Sequence, residues 1–417
     1  MRVLFITWDA PELTYLQSLF LPIFSELRRS GVTVDILQFR WGDQALTQQV
    51  KRTCEEAGSG YRAVKILRGL GSAGAVASAT AGAVAIHRAA KHFGSDALMP
   101  RGFMPSVMTL AANLFRLPPI IFDSDGLPAD ERVDFAGMSP QSATYRVLRA
   151  AEARIVRASA SVLVRSERGR DILLERANAG INAPKVTRDR FCVVTNGRDE
   201  RLFAPGDTAT RSAVRQELGV DGASPLLVYA GSVGPQYRFE AMGALMTEVQ
   251  RLRADARLLV MSGSPDRARA ALAASHPRIA AQATVIAVPP AAVPRYLAAA
   301  DLGIAYRRTS FSTQAVAPIK LAEYLLCGLP VVGTAAIGDT RPALEAGVFL
   351  DEAEGAEAAA AWLVKTIVSD RGSMRNRARE VGIANFSLAR SANDYLHALG
   401  QGLAKAADEV RSRVHRP

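Results

Sequence analysis

Cysteine is nearly absent, with 3 residues in 417, and Cys54, Cys192 and Cys327 are odd in number and far apart. That excludes a disulfide framework and suits buried thiols in a reducing compartment. Histidine is almost as scarce. His87, His92, His276, His397 and His415 show neither zinc-type spacing with cysteine nor the makings of a triad, so no metal site is expected. Aromatic residues reach only 6%, none interleaved with basic residues in a stripe, and no RNP-like signature is present. Nucleic acid recognition therefore has no local support, although the net charge is +11. That surplus suits nucleotide phosphates or an anionic membrane surface. No solenoid-length repeat occurs, and the alanine runs at 268–274 and 353–361 are ordinary helix formers.

No cleavable leader is expected either. MRVLFITWD reads as a first core strand, which makes the cytoplasm the expected location. One stretch, Gly69 to Ile86, carries no charge over nearly the length of a bilayer span. Gly, Ala, Ser and Thr dominate it and leucine is almost absent, so a closely packed or interface-lying helix is expected there.

What remains is globular. Hydrophobic residues at 49% and charged residues at 22% exclude a disordered or fibrous chain, and 417 residues exceed one ordinary core, so two domains are expected. Arg2 to Thr7 is a short apolar run, followed by Leu13, Leu16, Phe20, Ile23, Phe24 and Leu27 at helical spacing, a stop at Gly31, and a second run from Val32 to Gln38. This is a βαβ unit with parallel strands. Further strands at 63–67, 97–99, 119–122, 161–164 and 191–194 complete a doubly wound domain over 1–205. The Gly-, Pro- and charge-rich stretch Asn196 to Asp207 reads as a connection. A second cycle through Pro225–Ser232, Ala256–Ser264, Ala283–Val288, Asp301–Tyr306 and Leu329–Thr334 predicts a second such domain over 206–385. Beyond Asp351 the pattern is helical, and 386–417 reads as an amphipathic helix with a loose basic tail.

In doubly wound domains ligands bind outside the carboxyl ends of the strands. Tyr229 to Glu240 (YAGSVGPQYRFE) leads a strand through a turn into a helix, where Gly231, Ser232 and Gly234 let a phosphate approach backbone N–H groups and Arg238 adds a charge. A tight connection with a solvated Arg238 reads equally well on that segment alone. Ala315 to Thr334 is more distinctive, with Pro318 at the first helical turn, Lys320, Glu323, and a stop at Gly328. Pro318 lacks an N–H where none is needed, which leaves the amides of Val316, Ala317 and Ile319 to face an anion. Lys320 can neutralise a diphosphate, and the Glu323 carboxylate can accept from a ribose diol. In the N-terminal domain Asp9, Glu12, Arg101, Asp123 and Asp125 fall near strand ends, where helix-capping carboxylates also occur.

KLAEYLLCGLPVV resembles the donor-site signature of family-4 glycosyltransferases of the GT-B fold, the glycosyl transferases group 1. NGRDERLFAP is similar to that family's interdomain segment, YAGSVGPQYRFE to its first C-terminal strand and turn, VPRYLAAADLGIAY to the helix before the donor loop, and NFSLARSANDYL to its terminal crossover helix. The likeness covers nearly all of the C-terminal half. It is looser in the N-terminal half, at DSDGLPADE and the helix and strand that follow.

The resemblance implies an α/β fold of two doubly wound Rossmann-like domains facing a central cleft, with a C-terminal helix packing back toward the N-terminal domain. It implies a retaining, metal-independent transfer of a sugar from a nucleoside diphosphate sugar, the co-substrate, to an acceptor hydroxyl, with no obligatory cofactor. Arg238, Lys320 and Asp125 would be catalytic. Gly231, Ser232, Gly234, Val316, Ala317, Pro318, Ile319 and Glu323 would bind the donor, and Asp9, Glu12 and Arg101 the acceptor. The acceptor would be a glycan or a lipid-linked glycan in surface polysaccharide synthesis, with peripheral contact at an anionic membrane surface and no nucleic acid partner. Two departures stand out: Ala315, where many relatives carry a glutamate, and WDAPELTYL, where relatives often have a Gly-Gly turn. A sugar-nucleotide epimerase of the same fold, and a non-catalytic nucleotide-binding partner in a glycan-assembly complex, remain as other readings.

Overall fold

The apolar runs become parallel strands. In the computed structural model, which describes residues 1–9, 15–41, 43–66, 71–113, 117–180, 185–338 and 340–414, the chain divides into two units, Met1–Thr195 with Ser391–Pro417, and Asn196–Arg390. The first unit contains β1 (Arg2–Asp9), β2 (Thr33–Arg40), β3 (Tyr61–Lys65), β4 (Ala97–Pro100), β5 (Ile121–Asp123), β6 (Ser161–Val164) and β7 (Phe191–Val193). The strands run in the order β3-β2-β1-β4 and β5-β6-β7, and the bridges Leu98–Ile120 and Arg101–Asp123 join the two sets. Val3 to Ile6 of β1 are fully buried, as expected of a parallel strand with helices on both faces.

The second unit contains β8 (Leu226–Ala230), β9 (Arg257–Met261), β10 (Thr284–Ile286), β11 (Leu302–Ala305), β12 (Val331–Gly333) and β13 (Phe349–Asp351), in the order β10-β9-β8-β11-β12-β13. In each unit the order reverses beside its first strand, between β1 and β4 and between β8 and β11. These are the places where doubly wound sheets open a crevice for ligands.

Tyr324 plugs the reversal in the second unit. A Cβ on Gly303 of β11 would lie 2.4 Å from its ring, so only glycine admits it. Its hydroxyl accepts from the Ala230 N–H at 2.8 Å and donates to the Ile304 carbonyl at 3.4 Å. Tyr324→Phe is expected to cost about 1–3 kcal/mol, because the buried Ala230 N–H is left without an acceptor. The measurement is the urea midpoint, and an unchanged midpoint would show that the hydroxyl is dispensable.

Three features depart from or extend the sequence reading. The strand β13 was not foreseen; it pairs with β12 through Phe349, Leu350 and Asp351. The connecting stretch Asn196 to Asp207 opens the second unit, and its Arg198 N–H donates to the Phe386 carbonyl at 2.9 Å. The expected loose tail is helical as far as Val414, within the helix Leu388–Val414. Tyr395, Ala398 and Leu399 bury its apolar face, Gly402 packs against Ile121 and Ser161, and Lys405 binds Asp189. Residues 415–417, including His415, lie outside the described residues.

The uncharged stretch enters the helix Gly71–Phe93, with Gly69 and Leu70 outside the described residues. Ala83, Ile86, Ala89 and Ala90 pack with Leu4, Ile6, Leu37 and Phe39, and Gly82 faces Met108. Small residues there allow close approach to the sheet. Among the described residues no helix is long and apolar enough to cross a membrane. All three cysteines are free and buried, and burial pushes the Cys54 thiol up to about 12.

Candidate functional site

The carboxyl ends of β8, β11 and β12 place Gly231, Arg307 and Thr334 near the helix Ile319–Leu326, which carries Lys320 and Glu323. The Lys320 side chain folds against β8. Its Nζ lies 4.0 Å from the centre of the Tyr229 ring and 4.7 Å from that of Tyr237, and 3.0 Å from where a Cβ on Gly231 would sit. It is buried and has no hydrogen-bond partner among the described residues. Burial, followed by the nearby Arg307 charge, pushes the ammonium down to about 7, with Glu323 acting in the opposite direction. Two aromatic faces attract the cation but give its N–H groups no acceptor.

Glu323 meets Arg198 at 2.9 Å. Burial raises the Glu323 carboxyl above the usual carboxylate range, opposed by Arg198 and Lys320. The Arg198 guanidinium stacks over Phe203 at 4.7 Å, and Asn196 Nδ2 donates to the Ala317 carbonyl at 2.9 Å. The stretch read as a connector thus supplies a counter-ion for Glu323 and a tether for the loop before Pro318. Gly338, at φ +81°, closes on the same loop: a Cβ there would lie 2.7 Å from Pro318 Cδ and 3.3 Å from Ala317 Cα.

Two expected amides are already engaged. The Val316 N–H donates to the Thr313 carbonyl at 3.3 Å, closing the turn Ser312–Ala315, and the Gly231 N–H donates to the Met261 carbonyl at 2.9 Å, extending the β8–β9 ladder. The amides of Ala317 and Ile319, either side of Pro318, have no acceptor among the described residues. Ser232 is exposed and its carbonyl accepts from the Tyr229 hydroxyl at 2.7 Å; the Gly234 carbonyl accepts from the Tyr237 N–H at 3.0 Å. Ala315 is buried at the end of its turn.

Arg238, which precedes the helix Phe239–Leu252, is held by carboxylates rather than free: Glu352 at 2.7 Å and Glu240 at 3.3 Å. Thr334 Oγ1 accepts from the Arg307 N–H at 2.9 Å and donates to the same Glu352 at 2.6 Å. Arg307, unforeseen, leans over Tyr237 at 5.6 Å with its Nε buried and unpartnered. Its only sequence signal was a basic residue just past a strand.

In the first unit Arg101 and Asp125 come together at 2.5 Å, and Arg101 also reaches Asp123 at 3.2 Å. Asp123 is fully buried and takes a second guanidinium, Arg165, at 2.5 Å; Arg165 in turn donates to the Tyr395 hydroxyl at 3.2 Å. Asp125 is half-exposed, so its carboxylate is committed to an ion pair at the surface. Asp9 ends β1 and accepts from Thr7 and Gln38, each at 2.9 Å. Burial raises its carboxyl. Glu12 lies outside the described residues. Among the described residues no group of three His, Cys, Asp or Glu side chains is placed to hold a metal ion.

Two parallel doubly wound units, each with its strand order reversing beside its first strand, are those of the GT-B class of fold. The solved structure of Anabaena Alr3699/HepE in complex with UDP has this architecture, with a TM-score of 0.69 at 15% identity, covering 96% of this chain and 100% of that one. Residues 224–368 match the family model described as "Glycosyl transferases group 1". The matched segment includes Gly231, Arg238, Lys320 and Glu323. Among curated relatives, the chain is 25% identical over 264 residues to the alpha-maltose-1-phosphate synthase of Mycolicibacterium smegmatis, covering 58% of this chain. It is 33% identical over 181 residues to the D-inositol 3-phosphate glycosyltransferase of Xylanimonas cellulosilytica, covering 40% of this chain. These matches span 61% and 39% of the two relatives' own lengths.

Proposed function

We propose that the chain transfers a sugar, with retention, from a nucleoside diphosphate sugar to an acceptor hydroxyl, the second unit holding the donor and the first the acceptor. The observation that carries this reading is Lys320, a buried cation without an acceptor, two residues from Pro318 and its free flanking amides. A diphosphate carries oxygens enough to accept from these donors. As the glycosidic bond loosens, charge grows on that diphosphate, and pre-placed donors stabilise it without reorganising. No metal enters this account, and the nucleotide sugar is the co-substrate. Glu323 exchanges Arg198 for the ribose diol, and Arg238 exchanges Glu352 for a phosphate oxygen. Asp9, Arg101 and Asp125 serve the acceptor side.

The names of the relatives, a synthase of alpha-maltose 1-phosphate and a D-inositol 3-phosphate glycosyltransferase, support glycosyl transfer; the acceptor in this reading is a glycan or lipid-linked glycan of surface polysaccharide synthesis. The charge of +11 supports work beside an anionic membrane surface, and three buried free thiols support a reducing compartment. A panel of nucleotide sugars screened by thermal shift tests the reading. One of them at about 100 times its Kd should add about 2.7 kcal/mol of stability, and the same compound should be consumed only when an acceptor is added. No stabilisation by any nucleotide sugar would refute a donor site. Product without acceptor would mark an epimerase, and binding without turnover a non-catalytic partner.

A further inference from the structure

Strand register gathers a polar group on one face of the first unit's sheet. Thr7 pairs with Gln38 and Asp9 with Arg40 across β1 and β2, while Arg40 pairs with Lys65 across β2 and β3. Side chains two residues apart share a face, so Tyr61 joins them. Four of these residues satisfy one another: Thr7 and Gln38 donate to Asp9, and the Tyr61 hydroxyl donates to Gln38 Oε1 at 2.7 Å. Arg40 has the Tyr61 hydroxyl beside it and no carboxylate. It is 5% exposed, and among the described residues its Nε and Nη1 are buried with no hydrogen-bond partner.

Arginine does not lose its proton, so a buried guanidinium needs acceptors, and elsewhere in this molecule it has them. Among the described residues the other buried arginines each meet a carboxylate: Arg165 meets Asp123, Arg170 meets Asp171, Arg198 meets Glu323 and Arg215 meets Asp301. Arg40 meets none. It ends β2, separated by β1 from the strand-order reversal, at the carboxyl edge of the sheet where such folds bind ligands. Asp9 and Gln38 beside it offer hydroxyl-binding groups, and the exposed Lys65 adds a second positive charge to the same face.

We propose that Arg40 recognises an anionic group, phosphate or carboxylate, carried by the glycosyl acceptor. The inference rests on the transferase reading for the word acceptor, but anion binding at Arg40 does not depend on it. Nε and Nη1 open on different edges of the planar guanidinium, so each has an unmet N–H to donate to an anion's oxygen, and the fixed charge attracts phosphate and carboxylate alike.

The test compares wild type with Arg40→Gln and Arg40→Lys by calorimetry and thermal shift, using inorganic phosphate, glucose 6-phosphate, glucuronate and neutral glucose. At least one anionic probe should bind wild type, and Arg40→Gln should weaken it by about tenfold or more. Arg40→Lys, keeping the charge but not the fixed planar donors, should fall between the two. Binding of phosphate and glucose 6-phosphate but not glucuronate assigns a phosphate, and the reverse a carboxylate. Without any anion, Arg40→Gln should melt no lower than wild type, since it removes an unmet charge, and its response to nucleotide sugar should be unchanged. A lower melting temperature, equal anion binding by wild type and Arg40→Gln, or no anion binding by wild type would overturn the proposal. If wild type binds an anion through Arg40 yet ignores every nucleotide sugar, the transferase reading fails while the anion site stands.

Discussion

Lys320→Met should abolish sugar transfer, by about 100-fold or more, while leaving the protein at least as stable as wild type. The two halves of this result come from one fact, that the ammonium is buried without an acceptor. Losing a pre-placed donor to the charge that develops in the transition state costs roughly two to three orders of magnitude. Removing an unsatisfied buried cation relieves a penalty of about 1–3 kcal/mol, against which stand its attractions to Tyr229 and Tyr237, and methionine keeps most of the packing. A purely structural lysine would give the opposite pattern, lower stability with activity retained. The proton accounting adds a second readout. Folding lowers the ammonium from the ordinary 10.5 to about 7, so between those values the unfolded chain binds the proton more tightly and stability rises with pH. Lys320→Met should flatten that rise. A diphosphate beside Nζ restores the charge, so donor binding above pH 7 should take up protons and weaken by about tenfold per pH unit. Calorimetry at pH 8 in buffers of different ionisation enthalpy measures the uptake, and none should remain in the variant.

The parts legible in the sequence were those written locally. Val3 to Ile6, Leu226 to Ala230 and Val331 to Gly333 are continuous apolar runs bounded by turn residues, and they became buried parallel strands. Lys320 and Glu323 lie on one short helix behind a proline, so spacing alone brought them together. What spacing could not show was which groups the chain keeps for itself. Val316 and Gly231 looked like free amides until Thr313 and Met261 were found to accept from them. Arg238 looked like a free cation until β13 delivered Asp351 and, just after it, Glu352; that strand is three residues long and carries no readable period. Arg198 and Arg307 gave still less signal, because a partner brought near by folding leaves no trace in the residues around it. Arg40 was hidden differently. It ends a strand whose preceding residues announce only a core, and its burial without an acceptor exists only in three dimensions.

Glu323→Gln and Arg198→Met should weaken the same donor in opposite pH regimes, and the double variant should be less impaired in stability than the sum of the two. Glutamine keeps the shape of Glu323 but loses the charge that strengthens a hydrogen bond to a ribose hydroxyl, a loss of about 1.5–3 kcal/mol, or roughly 10- to 100-fold in affinity. It also leaves Arg198 without its counter-ion, so some loss of stability accompanies it. Arg198→Met removes the main opposing charge from a carboxyl that burial already raises. The Glu323 carboxyl then shifts further upward, and below pH 7, where Lys320 stays charged, donor affinity should recover as pH rises and the carboxylate forms, whereas Glu323→Gln should show no such recovery. Breaking one side of a buried pair costs about 3–5 kcal/mol, whereas removing both sides leaves no stranded charge. The double variant should therefore regain much of the stability lost by Arg198→Met, a coupling of at least about 1 kcal/mol in a double-mutant cycle. Additive losses would mean that Arg198 and Glu323 do not act as a pair. A flat pH profile in Arg198→Met would mean that the ribose is held by something other than the ionised Glu323.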